Sequence, residues 1–456
     1  MTFVNEIDNL IMQRTILPWV DPVSLSIVLT HTLGRDGLVW LDGDYGPETR
    51  WGTLGIAPVQ TVKCNGLPGN SLSQDPFQTL KKLSKHGGHW MGWLAYEAGA
   101  WIEPASHWHQ PDMATLWAAW HDPILKIDYC NRELWLEGQN PERFARFHAS
   151  LKIIFNNLDE KTVLRYKKNL SSIPAQDWHW HTNPYVFGYQ VKQLLALIAD
   201  GDLFQANLTA CCSVNLIKLI DPLSFYLRLR QCCPSPFGGL VISGTRFENE
   251  SILSTSMERF LTVNSIGDVE TKPIKGTRPR YKNLSADAES AADLISASKD
   301  RAENLMIVDL LRNDLGRVCR PGSIRVPKLL ALESYERVHH LTSTVVGKIE
   351  EGQTLVELLR ACWPGGSISG APKLRAIQRL NELEPVARGP YCGSMFRLMP
   401  DGTFDSNLLI RSVMVKGQTL RAHAGCGIVA DSDPAAETEE LGWKLQPLIK
   451  ALAGDL

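Results

Sequence analysis

Long apolar runs and an excess of charge of one sign are both absent from this 456-residue sequence. A membrane-spanning helix needs about 20 mostly apolar residues in a row, so the sequence predicts no such helix. The 47 basic and 49 acidic residues give a formal net charge of -2. This balance argues against the strongly basic surface of proteins that bind nucleic acid or anionic membranes. We therefore expect small molecules and proteins as partners, with no nucleic acid and no membrane.

Spaced cysteine motifs are also absent. The ten cysteines include the adjacent pairs Cys211-Cys212 and Cys232-Cys233, but no C-x-x-C pair with a matching pair downstream. The sequence thus predicts neither a zinc site nor a disulfide framework. Residues 1–14 mix charges among apolar residues and lack the apolar core of a signal peptide. We expect a cytoplasmic protein with reduced thiols.

The length exceeds the roughly 250 to 300 residues of a single simple core, so two sub-structures or one large layered unit are expected. Residues 1–170 contain short apolar stretches between glycines and prolines, which predict a strand-rich region with few helices that packs with the rest. Residues 171–184 are polar, contain proline and have no period, which is typical of a linker. Residues 185–456 form the third predicted region.

The order of the predicted elements indicates the fold class. An amphipathic helix is predicted from about Val186 to Asp200, and one long helix from Ala286 to about Leu315, where proline and glycine are missing. Strand signals occur in groups and do not alternate strictly with helices. This order favours an α+β fold with antiparallel sheets over a doubly wound one.

The last predicted helix places charged residues beside its apolar stripe. Asp433 is a plausible N-cap and Pro434 suits the first turn. Glu437, Glu440 and Lys444 follow at i, i+3 and i+7, so they share one side of the helix next to a stripe of leucines. The trio is either a solvated charged face or a set of carboxylates that border the core.

A second acidic pair, Asp300 and Glu303, lies at i, i+3 on the long predicted helix, and Ile307 and Leu311 continue the same side. Alone, this is an ordinary amphipathic helix. Two inward acidic pairs on two helices, however, suit Mg²⁺, which prefers carboxylate oxygens and retained waters.

Two glycine-rich segments, Trp363 to Lys373 and His423 to Ala430, lie between these helices. The second formally matches G-x-G-x-x-A, but only 26 residues follow Ala430, which leaves no room for the rest of a dinucleotide fold. The first lacks the Lys-Ser/Thr of a phosphate loop. The glycines either let backbone amides approach a carboxylate or simply form turns.

The segment E-T-K-P-I-K-G-T-R-P-R, from Glu270 to Arg280, contains a candidate nucleophile. Lys275 lies between Ile274 and Gly276, an apolar setting that the backbone can approach closely. In such a setting an amine can lose its proton and attack an electrophile. The alternative is a solvated basic residue that only attracts anions, and the spacing does not decide between them.

Four stretches together resemble a known family: P-I-K-G-T-R from Pro273, D-R-A-E-N-L-M-I-V-D-L-L-R-N-D-L-G-R from Asp300, P-G-G-S-I-S-G-A-P-K from Pro364 and A-G-C-G-I-V-A-D-S from Ala424. The family is that of the chorismate-utilising enzymes, which includes anthranilate, aminodeoxychorismate, isochorismate and salicylate synthases. The resemblance runs from about residue 185 to 452 and is looser before that. It implies a sandwich of two antiparallel β-sheets flanked by helices, with the active site in a cleft between lobes.

The resemblance also implies roles for individual residues. A Mg²⁺ ion that binds the ring carboxylate of chorismate would be held by Glu303, Glu437 and Glu440, with Asp300 either as a further ligand or just behind the ligands. Glu258 would be the general acid/base, and Lys444 would contact the ring carboxylate. Tyr391 and Arg411 would contact the enolpyruvyl carboxylate, assisted by backbone amides near Gly425 and Gly427. Gln205, Thr277 and His340 would line the site.

Two positions divide the family by chemistry. Members that add water resemble one another in a lysine base where this chain has Gln205, so isochorismate and salicylate synthesis are disfavoured. Lys275 in the P-I-x-G-T motif resembles the aminodeoxychorismate synthases, component I, whereas anthranilate synthases have alanine there. The implied reaction is amination of chorismate to 4-amino-4-deoxychorismate for para-aminobenzoate and folate, through a covalent bond to Lys275, with ammonia from a glutamine amidotransferase subunit (component II). The alternatives are an anthranilate synthase component I and, more remotely, an inactive chorismate-binding regulatory protein.

Some residues depart from the family pattern. The general-acid motif S-P-E is here S-M-E, with Met257 in place of proline. W-L-D-G from Trp40 replaces the L-L-E-S motif of tryptophan feedback, so feedback inhibition is not expected. Arg50, Pro236 and Phe237 are nevertheless candidates for lining an amino-acid pocket.

Overall fold

The computed structural model describes residues 12–43, 50–104, 108–156, 160–335 and 338–454. Residues 1–11, on which most of the signal-peptide prediction depends, lie outside these ranges. Within them, no helix is long and apolar enough to cross a membrane.

The helices surround two large sheets. They are α1 (Pro22–Leu33), α2 (Pro76–His86), α3 (Pro141–Asn156), α4 (Glu160–Lys168), α5 (Pro184–Ala199), α6 (Pro222–Cys232), α7 (Leu284–Ser296), α8 (Ser298–Gly316), α9 (Leu355–Cys362), α10 (Lys373–Leu383) and α11 (Pro434–Ala453).

The strands are β1 (Gln13–Leu17), β2 (Val39–Leu41), β3 (Trp51–Gly55), β4 (Gln60–Cys64), β5 (His89–Leu94), β6 (Leu116–His121), β7 (Ile124–Asp128), β8 (Glu133–Gly138), β9 (His179–Trp180), β10 (Gln205–Asn215), β11 (Phe237–Ile242), β12 (Glu250–Ser256), β13 (Arg259–Val263), β14 (Asp268–Lys272), β15 (Ile274–Pro279), β16 (Arg325–Ser334), β17 (Val338–Lys348), β18 (Gly370–Ala371), β19 (Ser394–Leu398), β20 (Phe404–Asn407), β21 (Ser412–Lys416) and β22 (Thr419–Ile428).

Both sheets are antiparallel. The 12-stranded sheet has the order β1-β8-β7-β3-β2-β11-β12-β21-β22-β10-β18, with β9 on β10, and the 10-stranded sheet has the order β15-β17-β14-β13-β20-β19-β5-β6-β4, with β16 on β17. The predicted α+β class with two antiparallel sheets is therefore confirmed.

The larger sheet is covered on both faces. Trp40 of β2 lies in the hydrophobic cluster that includes α1, α5, α6 and α11, while Val39 lies in the cluster shared with the second sheet. In β11, Leu240 lies in the first cluster and Val241 in the second. Because successive side chains of a strand point to opposite faces, a sheet with two buried faces has continuous apolar strands such as G-G-L-V-I.

Residues 171–184 connect to both halves of the chain. They contain a helical turn, Ala175–Asp177, and β9, which pairs with β10. The backbone N–H of Ile173 donates to Leu452 O at 2.8 Å. Both sheets combine strands from before and after this segment, as where β2 pairs with β11. The division into regions 1–170, 171–184 and 185–456 stays a prediction.

Several helix predictions can be compared with the structure. Helix α5 agrees with its prediction, and α11 begins as expected, with the Asp433 side chain accepting from the backbone N–H groups of Ala435 and Ala436. The single helix predicted from residue 286 to about 315 is wrong. It is two helices, because Ala297 has extended backbone angles, φ -62° and ψ 104°, that end α7 before α8 begins.

The first 170 residues contain more helix than expected. Helices α1 to α4 all lie there. Asp21 caps α1 and Asp75 caps α2 through their side chains, and a proline follows each aspartate. An Asp-Pro pair is a start signal for a helix, so these two helices had a local signature in the sequence.

Candidate active site

A cavity of about 700 Å³ is lined by residues of β15 and β22, the first turn of α8 and the buried side of α11. It contains most of the predicted site residues: Glu258, Lys275, Thr277, Asp300, Glu303, Tyr391, Arg411, Gly425, Gly427, Glu437, Glu440 and Lys444. Both acidic pairs therefore meet in one place. The break at Ala297 contributes, because it lets α8 begin at the cavity wall.

The predicted residues Gln205 and His340 lie behind the cavity lining. A Cβ atom at Gly427 would lie 2.8 Å from Gln205 Nε2 and 3.4 Å from Lys275 Nζ, so the Gln205 amide and the Lys275 amine both lie next to Gly427. His340 is buried, and one of its ring nitrogens, Nδ1, is 2.9 Å from Thr277 Oγ1. Burial lowers the pKa of His340 to about 4, so its ring is neutral near pH 7.

Lys275 reaches the cavity from an irregular part of β15. The register between β15 and β17 shifts between Ile274 and Thr277, and Gly276 within the shift has φ +83°. A Cβ atom there would lie 2.9 Å from the Asp300 side chain, so both the backbone angle and the space require glycine. Lys275 Nζ is 3.6 Å from Glu303 Oε2, and both side chains are mostly buried.

Glu258 is a buried carboxyl group placed just after β12. Burial raises its pKa to about 7, while a hydrogen bond from Ser367 Oγ to Oε1, at 2.8 Å, and the nearby Lys275 act in the opposite direction. A carboxyl group with a pKa near the working pH can both give and take a proton. Met257, which replaces the family's proline, also lines the cavity.

Each of three glutamates in the cavity has a lysine partner. Lys299 Nζ is 2.9 Å from Glu437 Oε1, and Lys444 Nζ is 2.7 Å from Glu440 Oε1. Glu303 has Lys275 as its partner. Burial raises the pKa of Glu303, and the positive charges of its lysine neighbours offset part of this effect. The lysines allow several carboxylates to lie close together in one cavity.

The carboxylates form a donor set that fits a hard divalent cation. Oxygens of Glu437 and Glu440 lie within 4.8 Å of each other and of Cys426 Sγ. Glu303 and Asp300 line the same cavity from α8. Mg²⁺ is bound in proteins mainly by carboxylates and water, so these residues fit the ion that the sequence predicts.

Tyr391 and Arg411 lie on the same cavity. The Tyr391 ring is stacked on His423, with 5.0 Å between centroids. Arg411 Nη1 donates to Lys444 O at 2.6 Å, which ties this guanidinium to α11. Lys444 Nζ also donates to Gly425 O at 2.8 Å, so the lysine connects α11 to β22.

Sequence reasoning missed several residues of the site. Ser367, Lys299, Cys426 and His423 all contact residues named above. Ser367 lies in the first glycine-rich segment and Cys426 lies between two predicted glycines. Both residues could therefore have been found from these sequence motifs. Lys299 was not predicted because its role depends on an ion pair with Glu437, which lies on a helix far away in the chain.

The residues predicted to line an amino-acid pocket lie in two different places in the structure. Pro236 and Phe237 line a separate cavity of about 70 Å³ with Arg259 and Asp405. Arg50 is not among its lining residues, and its guanidinium pairs with Asp128. The proposed trio is therefore not brought together.

Comparisons with known proteins identify the family to which this chain belongs. A family model described as chorismate binding enzyme matches residues 39–450. The anthranilate synthase component I-like protein of Synechocystis sp. is 36% identical over 375 residues, which cover 82% of this chain and 74% of that protein. The aminodeoxychorismate synthase of Streptomyces pristinaespiralis is 34% identical over 422 residues, which cover 90% of this chain and 56% of that protein.

A solved structure is also similar. The crystal structure of anthranilate synthase component I from Streptococcus pneumoniae matches with a TM-score of 0.75 and 27% identity, over 88% of this chain and 92% of that one. The family model covers nearly the whole chain, and the Synechocystis relative shares its sequence over most of its length. This protein is therefore a chorismate-utilising enzyme and belongs to the family of chorismate binding enzymes.

Proposed function

We propose that this protein combines chorismate with ammonia to form 4-amino-4-deoxychorismate, the precursor of para-aminobenzoate in folate synthesis. The observation that supports this most is the position of Lys275, whose amine lies in the same cavity as the buried Glu258 carboxyl group and the acidic residues. An amine beside a carboxyl group that titrates near neutrality is a nucleophile next to a proton donor.

Chorismate has two carboxylates, and the cavity offers positive charge for each. Glu303, Glu437, Glu440 and Asp300 would hold Mg²⁺. When bound, the ion supplies positive charge for the ring carboxylate, and Lys444 adds to it. Tyr391 and Arg411 would hold the enolpyruvyl carboxylate. Two fixed ends orient the ring, so that one face is presented to Lys275.

The reaction would take two displacements. In the first, the neutral amine of Lys275 attacks ring carbon 2, the two ring double bonds shift, and the bond from carbon 4 to its hydroxyl breaks. Glu258 gives its proton to the departing hydroxyl, which leaves as water. In the second, ammonia attacks carbon 4, the double bonds shift back, and the bond from carbon 2 to Lys275 breaks. Glu258 then takes a proton from the new ammonium group, and the enolpyruvyl group stays intact.

The ammonia would come from a glutamine amidotransferase subunit. Ammonia in neutral solution is mostly ammonium, which has no free electron pair for the attack on carbon 4. A partner that releases ammonia at the cavity would avoid this loss. We place both subunits in the cytoplasm.

A second candidate is an anthranilate synthase component I, as the name of the Synechocystis relative suggests. That reaction adds the amine to a different ring carbon and removes the enolpyruvyl group as pyruvate, leaving an aromatic ring. A third, inactive chorismate-binding protein has less support, because the acids expected for the metal all line the cavity.

Product analysis tests the proposal. The purified chain is incubated with chorismate, Mg²⁺ and ammonium, and the products are identified by mass spectrometry. We expect a non-aromatic amino acid that retains the enolpyruvyl group, and none with Lys275→Ala. A fluorescent aromatic amine with release of pyruvate would favour anthranilate synthesis. Unconsumed chorismate under all conditions would contradict both.

A further inference from the structure

Arg388 is a buried cation between α10 and β19. Its side chain is 2% exposed and forms two hydrogen bonds with the carboxylate of Glu384, from Nε to Oε2 at 2.8 Å and from Nη2 to Oε1 at 2.6 Å. The guanidinium also lies over the ring of Tyr96, 4.5 Å from its centroid. Burying two charges is costly, and an apolar pair of similar volume is often as stable.

The remaining hydrogen bonds of the pair go to backbone atoms of two other segments. Arg388 Nη1 donates to Ile368 O at 2.8 Å, and Nη2 donates to Asn207 O at 2.7 Å. Glu384 Oε1 accepts from Thr209 N at 3.0 Å. The pair thus joins α10 to β10 and to the helical turn of residues 366–368.

These segments form one wall of the active-site cavity. Asn207 and Ile368 line the cavity, and Tyr391 lies three residues after Arg388 in the chain. Ser367, next to Ile368, donates the hydrogen bond that holds the Glu258 carboxyl group. A shift of the Ile368 carbonyl would therefore move Ser367 relative to Glu258.

We propose that Arg388 and Glu384 are positioning residues, which fix the turn of residues 366–368 so that Ser367 holds Glu258 against the reacting substrate. Neither side chain lines the cavity, so each acts through the backbone that it binds. The inference rests on the proposed function to the extent that Glu258 is the general acid.

The proposal has a measurable consequence at Glu258. The groups that face this carboxyl are Ser367 from the turn, the Lys275 amine from β15 and the backbone of Ile274. The hydrogen bond from Ser367 lowers the pKa of Glu258, so its loss should raise that pKa further above its ordinary value. A general acid must be protonated, and activity falls as the pH rises through its pKa. Loosening the turn should therefore move this limb of the pH profile to higher pH.

The experiment compares Arg388→Lys, Ser367→Ala and the double variant. Lysine keeps the charge but cannot form the bonds to Glu384, Ile368 and Asn207 together. We expect Arg388→Lys to lower kcat by roughly 10- to 100-fold with a smaller change in KM, because a displacement of about 1 Å has effects of this size. We expect the fall in activity at high pH to occur at a higher pH in both single variants. We expect the loss of kcat in the double variant to be smaller than the product of the two single losses.

Controls separate positioning from stability. Leu380→Ala in α10 removes a buried side chain outside the cavity, so it should lower stability to urea and leave kcat and the pH limb unchanged. Glu384→Gln keeps the shape of the side chain, and it tests the pair independently if Arg388→Lys does not fold. We expect Glu384→Gln to lower kcat and to raise the pH at which activity falls.

The proposal would be overturned if the folded variants had the parental kcat and the parental pH profile. It would also be overturned if the loss of kcat in the double variant equalled the product of the two single losses. Rates are followed as chorismate consumption. A parent enzyme that forms a different product would contradict the proposed function, while the comparison among variants would still test the positioning role.

Discussion

At the scale of single residues, the cavity is a set of matched charges. Glu303, Glu437 and Glu440 each have a lysine partner within 3.6 Å. A divalent cation would compete with these lysines for the same carboxylate oxygens. The lysines released in this way are cations at the place where an anionic substrate binds. Metal and substrate binding should therefore support each other.

The metal assignment predicts the effect of Glu440→Gln. One anionic ligand is lost, which weakens a site for a hard cation, so we expect no turnover at ordinary Mg²⁺ concentrations and an intact fold. Chorismate consumption is measured against Mg²⁺ concentration, and Mg²⁺ binding is measured separately by calorimetry. Glu439→Gln is the matched control, because Glu439 is exposed on the same helix and lies outside the cavity lining. Parental activity of Glu440→Gln at limiting Mg²⁺ would refute the assignment.

The covalent role of Lys275 predicts a trapped adduct. With chorismate and Mg²⁺ but no ammonia, intact-mass analysis should show the protein plus chorismate minus one water, on the peptide that contains Lys275. Ammonium should then release it as aminodeoxychorismate. Arginine keeps the charge but is not a nucleophile, so Lys275→Arg should form neither adduct nor product.

Lys282→Arg, at an exposed neighbouring position, should behave as the parent does. Normal product formation by Lys275→Arg would show that this residue is only an electrostatic contact. The same conclusion would follow if no ammonia-dischargeable adduct could be trapped under any condition.

At the scale of elements, irregularities place the reactive groups. The register shift in β15 presents Lys275, the break at Ala297 starts α8 at the cavity, and the Asp433 cap fixes the first turn of α11 next to Glu437. The cap could be predicted because it depends on adjacent residues. The break could not, since no glycine or proline marks it.

Gly276→Ala tests the register shift. The backbone angle φ +83° costs an alanine roughly 1 to 2 kcal/mol, and its Cβ would also lie 2.8 Å from Leu294 and 2.9 Å from Asp300. The strand must move to relieve these contacts, so we expect a loss of kcat of roughly 100-fold as Lys275 is displaced. Activity and urea unfolding are measured together.

Gly322→Ala is a control with similar strain, because its φ is +75° and nothing lies within 4 Å of the added Cβ. Its free energy of unfolding should fall by a comparable amount because of the backbone strain, and its kcat should stay at the parental value. If both variants lose stability equally and both stay active, the geometry of Gly276 does not matter for catalysis.

At the scale of the whole molecule, the sequence predicted the antiparallel α+β class and several of the charged residues that line the cavity, because these depend on local periodicity and on family motifs. It did not reveal Arg388 with Asn207 and Ile368, because these contacts join segments far apart in the chain. It also did not show that the larger sheet is buried on both faces, since apolar strands have the same pattern in several folds.

A buried carboxyl group connects the early and late parts of the chain. Glu97 lies in the helical turn Tyr96–Trp101, after β5, and its Oε1 accepts from the backbone N–H groups of Arg388 and Gly389 at 2.8 and 3.1 Å. Burial raises the pKa of Glu97 to about 8, although these hydrogen bonds and the Arg388 charge oppose the effect. Glu97 is therefore protonated in the folded protein at neutral pH.

This pKa predicts a pH-dependent stability. The folded state holds the Glu97 proton up to about pH 8, whereas the unfolded chain releases it near the ordinary glutamate pKa of 4.5. Stability from this group is thus fully present below the unfolded pKa and is lost as the pH rises towards 8, by up to about 1.4 kcal/mol per pH unit.

Glu97→Gln keeps an oxygen for both backbone N–H groups and has no such proton. In urea unfolding, the variant should therefore gain stability relative to the parent between pH 6 and pH 9. Glu142→Gln, at an exposed position of α3, should show no such gain, and an equal pH dependence of Glu97→Gln and the parent would contradict a protonated Glu97.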